Sequence, residues 1–357
     1  MTLDTLKPGT QSGQMTLPDR DRRILAALQL APRATWRQIG TATGMSEQLV
    51  AQRGQQLLAD GLVRVSGQVD HLRCGLGINV QTRLSCPPNQ VMSVAEQLAN
   101  DPQTRFVTVT AGGSDIFVQY VVRDHAALPG VLQRLPPVVT RADTAMVLRK
   151  FSAVEEWDSQ VLDADARAVL RPDSGQVRYQ HQDWTTPETL TDTEHAMIEI
   201  LHRDGRASYA ELSRQLGTSE STVMRRMDSL RRRGCLRFRA LFDQALLGYP
   251  VEFLQLLTVE PSRTTAVGSR LAELPGSQLV CCTTGDSNLL VFGATTDYAA
   301  LYDHVGAVSA EDGAVHGIDT LMITRTLKHA WIPVSAERIQ LAPASESVRL
   351  DQQKEPA

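Results

Sequence analysis

Arginine is concentrated in one short stretch of the chain, between Ser219 and Arg237. Six arginines there stand against two carboxylates, Glu220 and Asp228, so this stretch carries a net charge of +4 in a chain whose formal net charge is −4. A local positive excess of this kind is typical of a surface that binds a polyanion such as nucleic acid. The alternative is an ordinary solvated helix face. The chemistry indicated is contact with phosphates and base edges.

The apolar residues of the same stretch predict the helix that would carry these arginines. Val223, Met227 and Leu230 recur at i, i+4 and i+7, which gives one buried stripe with polar residues around the rest of the helix. Ser219 is a favourable N-cap, and Gly234 is a favourable residue just beyond the C-terminal end. The stretch therefore predicts one well-bounded amphipathic helix.

Two further helices are predicted immediately upstream. Tyr209 to Leu216 is a short amphipathic segment, and Gly217-Thr218 provides a tight turn between it and the arginine-rich helix. Thr191 and Glu194 have the spacing of a capping box that opens the first helix of the set. Three helices in this order predict a helix-turn-helix unit.

A second copy of the pattern precedes the first at a constant offset of 173 residues. Residues 17–64 and 190–237 align without a gap and share 13 identities, including Arg33 with Arg206 and Arg53 with Arg226, where about three would be expected by chance. The offset persists downstream, so each copy spans about 130 residues. An internal duplication is the best explanation.

Downstream of each helical unit, alternating and helical patterns predict the order β-α-β-β-α-β, which is the ferredoxin-like arrangement. In the first copy it runs from Gly77 to Lys150, and in the second from Val251 to Lys328. We therefore predict an α+β chain with two winged helix-turn-helix domains and two ferredoxin-like domains. The predicted segments are a disordered tail at 1–16, domains at 17–70 and 71–151, a linker at 152–189, domains at 190–245 and 246–334, and a tail at 335–357.

These motifs resemble the Lrp/AsnC family of feast/famine transcription regulators. The first is S-x-x-T-V-x-x-R-x-x-x-L-x-x-x-G from Ser219 to Gly234, and the second is Gly285-Asp286-Ser287-Asn288 between the middle strands. The resemblance covers about 260 residues in two copies. It implies a sequence-specific regulator that binds double-stranded DNA and responds to a small molecule such as an amino acid. It also implies an intramolecular pseudo-dimer, with further oligomers common in the family.

The resemblance places two kinds of site residue on this sequence. We expect direct readout from the N-terminal half of the second recognition helix and phosphate contacts from its other arginines. The DNA-binding candidates are Ser219, Glu220, Ser221, Thr222, Met224, Arg225, Arg226, Arg231 and Arg237, with Ser46, Gln48, Gln52 and Arg53 in the first copy. The effector-binding candidates are Gly112, Gly113, Ser114 and Asp115 in one loop and Gly285, Asp286, Ser287 and Asn288 in the other, and the alternative is that both loops are plain polar turns.

The first copy departs from the family pattern. Gly54 stands where the second copy has Met227, Gln52 replaces Arg225, and 58–60 lacks the three arginines, so the net charge of 46–64 is zero. A glycine inside a helix costs roughly 0.5 to 1 kcal/mol relative to alanine, so we expect this helix to be looser. We therefore expect the second recognition helix to supply most of the DNA-binding energy.

Composition excludes several other classes. The chain has 357 residues, of which 42% are hydrophobic, with no N-terminal signal pattern and no apolar run long enough to span a bilayer, which predicts a cytoplasmic location and no membrane contact. Its five cysteines form no C-x-x-C pair, so we expect reduced thiols, no metal and no cofactor.

No catalytic signature is present, and we expect the protein not to be an enzyme. One enzymatic alternative stays open, because sirohaem decarboxylases have a similar two-part fold in which arginines and histidines hold tetrapyrrole carboxylates. The histidines concerned are His125, His304, His316 and His329. The other alternative is a sequence-tolerant, architectural DNA-binding protein.

Overall fold

The computed structural model describes residues 17–171, 187–310 and 313–334. The described residues do not include the predicted tails at 1–16 and 335–357 or residues 172–186 of the predicted linker. No helix of the described part is long and apolar enough to cross a membrane.

Both helix-turn-helix units contain three helices. The helices of the first unit are α1 (Asp19–Leu30), α2 (Trp36–Thr43) and α3 (Glu47–Ala59). Their counterparts in the second unit are α7 (Asp192–Arg203), α8 (Tyr209–Leu216) and α9 (Glu220–Arg232). Thr191 and Glu194 form the predicted capping box, and Gly217 ends α8 in the left-handed region at φ 61°. The capping box and the glycine therefore mark the helix ends that the sequence predicts.

The strands that follow the two recognition helices pair with each other. β1 (Val63–Val69) and β6 (Leu236–Phe242) form a two-stranded antiparallel ribbon in which Val63 lies opposite Phe242 and Val69 opposite Leu236. One end of the ribbon packs into the core of the first helical unit and the other end into that of the second. The ribbon therefore joins the two helical units.

The two ferredoxin-like units have the predicted β-α-β-β-α-β order. The first contains β2 (Ile78–Ser85), α4 (Val91–Asn100), β3 (Thr104–Ala111), β4 (Ile116–Val122), α5 (Leu128–Gln133) and β5 (Arg141–Ser152). The second contains β7 (Val251–Val259), α10 (Thr264–Leu271), β8 (Ser277–Thr283), β9 (Leu289–Thr295), α11 (Tyr298–Ser309) and β10 (Val315–His329), followed by the short β11 (Ile332–Pro333).

The two four-stranded sheets close into one ring of eight strands. Within the units the strand orders are β5-β2-β4-β3 and β10-β7-β9-β8, and the units join where β5 pairs with β8 and β10 pairs with β3. Both ladders between the units are antiparallel and contain bulges. Helices cover the outer faces of the ring, and its interior holds a separate apolar cluster that includes Phe106, Phe117 and Phe292. The ring leaves neither unit with an open long edge.

The described start of the predicted linker folds back on the first helical unit. α6 (Ala164–Leu170) places Ala166 and Leu170 in the core formed by α1 and α2, together with Leu162. This helix lies within the segment Val161 to Leu170 that the sequence indicates as helical. Part of the predicted linker is therefore packed structure.

Candidate nucleic-acid interface

The second recognition helix, α9, has one buried and one exposed face, as the sequence predicts. Val223, Met227 and Leu230 are at most 1% exposed. Met224, Arg225, Arg231 and Arg232 lie on the exposed side, and Met224 is 45% exposed despite its apolar side chain. These four side chains form the exposed face of α9, and three of them are cationic.

Hydroxyl and carboxylate groups surround the start of α9. Ser219 Oγ accepts a hydrogen bond from the Thr222 backbone N–H at 3.3 Å and lies 3.0 Å from Ser221 Oγ and 2.9 Å from Thr222 Oγ1. Glu220 and Ser221 are exposed. The first turn of α9 therefore offers short polar groups beside a positive helix end.

Three arginines of the charged stretch are directed into the protein. Arg233 donates to Glu188 Oε2 at 2.8 Å and to Glu194 Oε1 at 2.6 Å, and Arg237 is only 7% exposed, with its guanidinium 3.6 Å from Glu156. The half-buried Arg226 points its Nη1 inward. The expected phosphate contact from Arg237 is therefore wrong, because this side chain of strand β6 is buried and cannot reach DNA.

The first recognition helix, α3, presents uncharged polar groups. Ser46 caps the helix by accepting from the Leu49 N–H, and Gln48 and Gln52 are exposed. Arg53 donates from Nε and Nη2 to both carboxylate oxygens of the buried Asp21, at 2.9 and 2.5 Å. This bidentate ion pair occupies Arg53, so the DNA contact expected from it is corrected to a contact that joins α3 to α1.

Gly54 does not leave a gap in α3. A Cβ at this position would lie 2.5 Å from Cζ3 of Trp36, because the indole ring fills the space that Met227 fills in the second unit. The helix runs unbroken from Glu47 to Ala59. The expected looseness is therefore corrected, because Trp36 replaces the missing side chain.

A reciprocal pair of arginines holds the two helical units together. Arg33 donates to the carbonyls of Gly205 and Ala207 at 2.5 and 3.0 Å, and Arg206 donates to those of Pro32 and Ala34 at 2.7 and 2.9 Å. Burial lowers the pKa of Arg206 to about 10, so this guanidinium remains charged at neutral pH. The identity of Arg33 and Arg206 in the repeat was the sequence signal for this contact.

Aromatic rings extend the contact around these arginines. The Arg206 guanidinium lies 4.2 Å from the centre of the Trp36 ring, and the Arg33 guanidinium lies 5.7 Å from the Tyr209 ring. Trp36 and Tyr209 are themselves 173 residues apart. We call Arg33, Trp36, Arg206 and Tyr209 the arginine clasp. The clasp joins the two helical units, which carry α3 and α9, in a pseudo-symmetric arrangement.

The two candidate effector loops share one hydrogen-bond pattern. Asp115 Oδ2 accepts from the Cys86 N–H at 3.0 Å, and Asn288 Oδ1 accepts from the Val259 N–H at 2.9 Å. The carbonyls of Ser114 and Ser287 each accept a threonine hydroxyl at 2.8 Å, and the Ser114 side chain is buried. The groups that remain exposed in the loops are Gly112, Gly113, Gly285 and Asp286.

The four histidines of the decarboxylase alternative do not form one site. His125 and His316 are exposed at separate positions, whereas His304 is buried with Nδ1 3.0 Å from the Pro275 carbonyl oxygen. His329 lies beside Arg239, whose Nη2 is 2.9 Å from its Nε2. Among the described residues, no group of histidine, cysteine and carboxylate side chains could hold a metal ion.

Comparison with protein families supports both helical units. Residues 190–231 match a model described as an AsnC-type helix-turn-helix domain, and residues 17–64 match one described as a winged helix-turn-helix DNA-binding domain. The chain is 31% identical over 140 residues to the HTH-type transcriptional regulator FL11 of Pyrococcus horikoshii, covering 39% of this chain and 92% of that protein. It is 23% identical over 137 residues to the regulator LysM of Saccharolobus solfataricus, covering 38% of this chain and 95% of that protein.

The chain resembles a solved protein structure over almost its whole length. The siroheme decarboxylase NirDL superimposes with a TM-score of 0.56 at 16% sequence identity, and the match covers 90% of this chain and 94% of that one. At this identity the similarity concerns the fold alone. Two helical units and two ferredoxin-like units in one chain are therefore an arrangement that another protein also has.

Proposed function

The chain belongs to the Lrp/AsnC family of helix-turn-helix transcription regulators, and on this premise we propose that it regulates transcription by sequence-specific binding to double-stranded DNA. The observation that carries the proposal is the exposed face of α9, where Arg225, Arg231 and Arg232 point away from the core. Side chains at the N-terminal end of a recognition helix can contact base edges, and arginines elsewhere on it can contact phosphates. A protein with this role acts in the cytoplasm, where the DNA is.

We propose further that α9 supplies most of the binding energy. Each phosphate contact adds about 0.9 to the slope of log affinity against log salt. The three exposed arginines of α9 can make such contacts, whereas Gln48 and Gln52 of α3 carry no charge. Operators should therefore be asymmetric, and two half-sites, where both helices touch DNA, should lie about 10 base pairs or a multiple of that apart.

Substitution at two equivalent positions tests this proposal. We expect Arg225→Ala to cost about 1 to 3 kcal/mol of binding free energy and to relax the preference at one base pair. Arg232→Ala should weaken binding to all sequences alike, and Gln52→Ala should have a much smaller effect. Gel-shift titrations on an operator selected from genomic DNA measure all three. Equal losses from Gln52→Ala and Arg225→Ala would show that both helices read DNA, and equal affinity for every duplex would favour the architectural alternative.

We also propose that a small molecule such as an amino acid binds at the second hairpin loop. Asp286 is exposed there beside Gly285, whereas the corresponding position of the first loop is Gly113. An exposed carboxylate next to free backbone amides suits a zwitterion. Calorimetry with a panel of amino acids should show binding that Asp286→Ala weakens and that Glu273→Ala, at an exposed carboxylate elsewhere in the same unit, does not change. Two equal sites would contradict this assignment.

The size of the cavity beside His329 argues against a tetrapyrrole site at that histidine. The cavity that His329 borders offers about 50 Å³ to the centres of water molecules, which is far below the several hundred Å³ typical of sites for large ligands. We therefore propose that the protein is not an enzyme. A Soret absorbance in the purified protein, or decarboxylation of a tetrapyrrole, would contradict this conclusion.

A further inference from the structure

A partly enclosed space with several polar side chains in its lining lies between the ribbon and one end of the strand ring. It is bordered by Gln68 and Arg239 on the ribbon side and by Asn79, Arg105 and Glu155 on the side of the ring. We call it the chamber. It offers about 50 Å³ to the centres of water molecules, enough for roughly three to five of them or for one organic molecule of a few non-hydrogen atoms.

The charges around the chamber favour an anion. Four cationic side chains border it and two carboxylates oppose them, Asp70 and Glu155, so the excess is two positive charges, or one when the Glu156 partner of Arg237 is included. Lys150 lies 3.3 Å from Asp70. The remaining cations are Arg105 and Arg239.

Arg105 and Arg239 have neutral hydrogen-bond partners. Arg105 Nη1 donates to Gln119 Oε1 at 2.7 Å, and Arg239 Nη2 lies 2.9 Å from His329 Nε2. Burial lowers the pKa of His329 well below its ordinary value, and the charge of Arg239 lowers it further, so the ring is neutral and can accept this bond. Arg239 is buried and Arg105 half-buried, and the carboxylate of Glu155 interacts with both guanidinium groups. Two guanidinium groups opposed by one carboxylate retain one excess positive charge, which a bound carboxylate can neutralise.

Several buried polar atoms also face the chamber without a hydrogen-bond partner among the described residues. They are Gln68 Oε1, His71 Nε2 and Asn79 Oδ1, on side chains that are 4%, 4% and 7% exposed. A buried polar atom left unpaired costs about 1 to 3 kcal/mol. Two of the three are amide oxygens, so they favour a ligand that carries a hydrogen-bond donor as well as a carboxylate.

The second unit has apolar residues at the positions of three glutamines that border the chamber, although it keeps polar residues, Gln244, Glu252 and Gln278, at those of His71, Asn79 and Arg105. The positions 173 residues after Gln68, Gln81 and Gln119 are Leu241, Leu254 and Phe292. The fold therefore tolerates apolar residues at each of these places, and the three glutamines of the first unit are not needed to close the ring. An adjoining apolar compartment, lined by Phe106, Phe117 and Phe292, can take the hydrocarbon end of a ligand.

We propose that the chamber binds a small hydroxycarboxylate anion. Its carboxylate lies between Arg105 and Arg239, its hydroxyl donates to the amide oxygen of Gln68, and its short apolar end points to the phenylalanines. The positive excess disfavours an amino acid, whose ammonium would meet the guanidinium groups. This site goes beyond the proposed DNA-binding function and does not depend on it.

Calorimetry on the full chain at constant ionic strength tests the site with three matched probes. Lactate carries both groups, propionate lacks the hydroxyl, and lactamide lacks the charge. We expect lactate to bind about tenfold or more tightly than either of the others, since each loses a charged or paired hydrogen bond. Alanine, with an ammonium in place of the hydroxyl, should bind more weakly than lactate to the Asp286→Ala variant, in which the proposed amino-acid site of the hairpin loop is weakened.

Four substitutions locate the binding. Arg239→Gln should weaken lactate about tenfold or more, and Glu155→Gln should tighten it, because that change removes a negative charge from the lining. Arg123→Gln, at an exposed guanidinium, and Asp286→Ala, in the hairpin loop, should leave lactate affinity unchanged. The tightening from Glu155→Gln is a result that misfolding cannot imitate.

Gln68→Leu, which introduces the residue type found at Leu241, should abolish the preference for lactate over propionate and covers the case in which Arg239→Gln does not fold. The proposal is overturned if lactate gives no heat, if alanine binds the Asp286→Ala variant more tightly than lactate does, if Glu155→Gln fails to tighten lactate binding, or if Arg123→Gln weakens it as much as Arg239→Gln. If Arg239→Gln loses lactate binding but keeps its affinity for DNA, the chamber is a site that is independent of the proposed DNA-binding function.

Discussion

Two buried histidines adjoin the ring of Trp331, at the junction of the ribbon and the strand ring. The His71 ring centre lies 4.7 Å from that of Trp331, and the His202 ring centre lies 6.1 Å from it. Burial lowers the pKa of His71 to about 3 and that of His202 to about 4. Both rings are therefore neutral in the folded protein at neutral pH.

These depressed pKa values predict acid sensitivity. Because the unfolded chain binds protons at a pKa near 6.5 and the folded chain does not, stability is complete above pH 6.5 and falls as the pH drops toward 4. For each histidine the loss is on the order of 1 to 3 kcal/mol. Urea unfolding at pH 7 and pH 4.5 should show that His202→Gln reduces the difference and that His125→Gln, at an exposed site, does not. An unchanged difference in His202→Gln would contradict the assignment.

Individual charges were the hardest feature to predict from the sequence. Spacing placed Arg225, Arg231 and Arg232 on an exposed face correctly, since that depends only on helix period. It could not show that Arg53 meets Asp21 or that Arg237 is buried beside Glu156, because those partners come from distant elements. The chamber was missed for the same reason, as its lining combines residues from both repeats.

At the scale of single elements, the two helical units fill the same space with different residue pairs. The first uses Trp36 and Gly54, and the second uses Tyr209 and Met227 at the corresponding positions. A larger ring therefore accompanies the smaller residue and fills part of the volume that the missing side chain would occupy. The sequence shows each substitution but does not show that the two positions touch.

This packing predicts that Gly54→Ala destabilises the protein although alanine favours helices. The new Cβ would lie 2.5 Å from Trp36, so we expect a loss of about 1 to 3 kcal/mol in the free energy of unfolding. The matched control is Gly306→Ala in α11, where no atom lies within 4 Å of the new Cβ and a gain of about 0.5 to 1 kcal/mol is expected. Chemical denaturation measures both. A gain in Gly54→Ala would mean that the Trp36 ring yields easily.

The strands themselves were predictable, but their partners were not. In the first copy, alternation predicts strands at 77–86, 105–110, 116–122 and 142–150. The structure has the third strand with the same bounds and the other three to within two residues at each end. The pairing of β1 with β6 joins residues that are more than 160 positions apart, and no local pattern specifies it. The closure of the ring through β5 with β8 and β10 with β3 is of the same kind.

At the scale of the whole molecule, three separate contacts join the two repeats. They are the ribbon, the two ladders that close the strand ring, and the arginine clasp. Each uses corresponding or complementary surfaces of the two units, as a two-fold homodimer would. The duplication inferred from the sequence accounts for this geometry, since one chain then supplies both halves of a symmetric assembly.

This arrangement predicts that one repeat cannot exist as a stable monomer. A fragment of residues 185–345 loses the partners of β6, β8 and β10, so three strands expose unpaired backbone groups, and Arg206 loses the carbonyls it contacts. We expect the fragment to dimerise through the same surfaces or to aggregate, whereas the full chain already satisfies those edges internally. Sedimentation equilibrium on both proteins measures the difference. A fragment that remains monomeric and folded at micromolar concentration would show that the contacts between the repeats are dispensable.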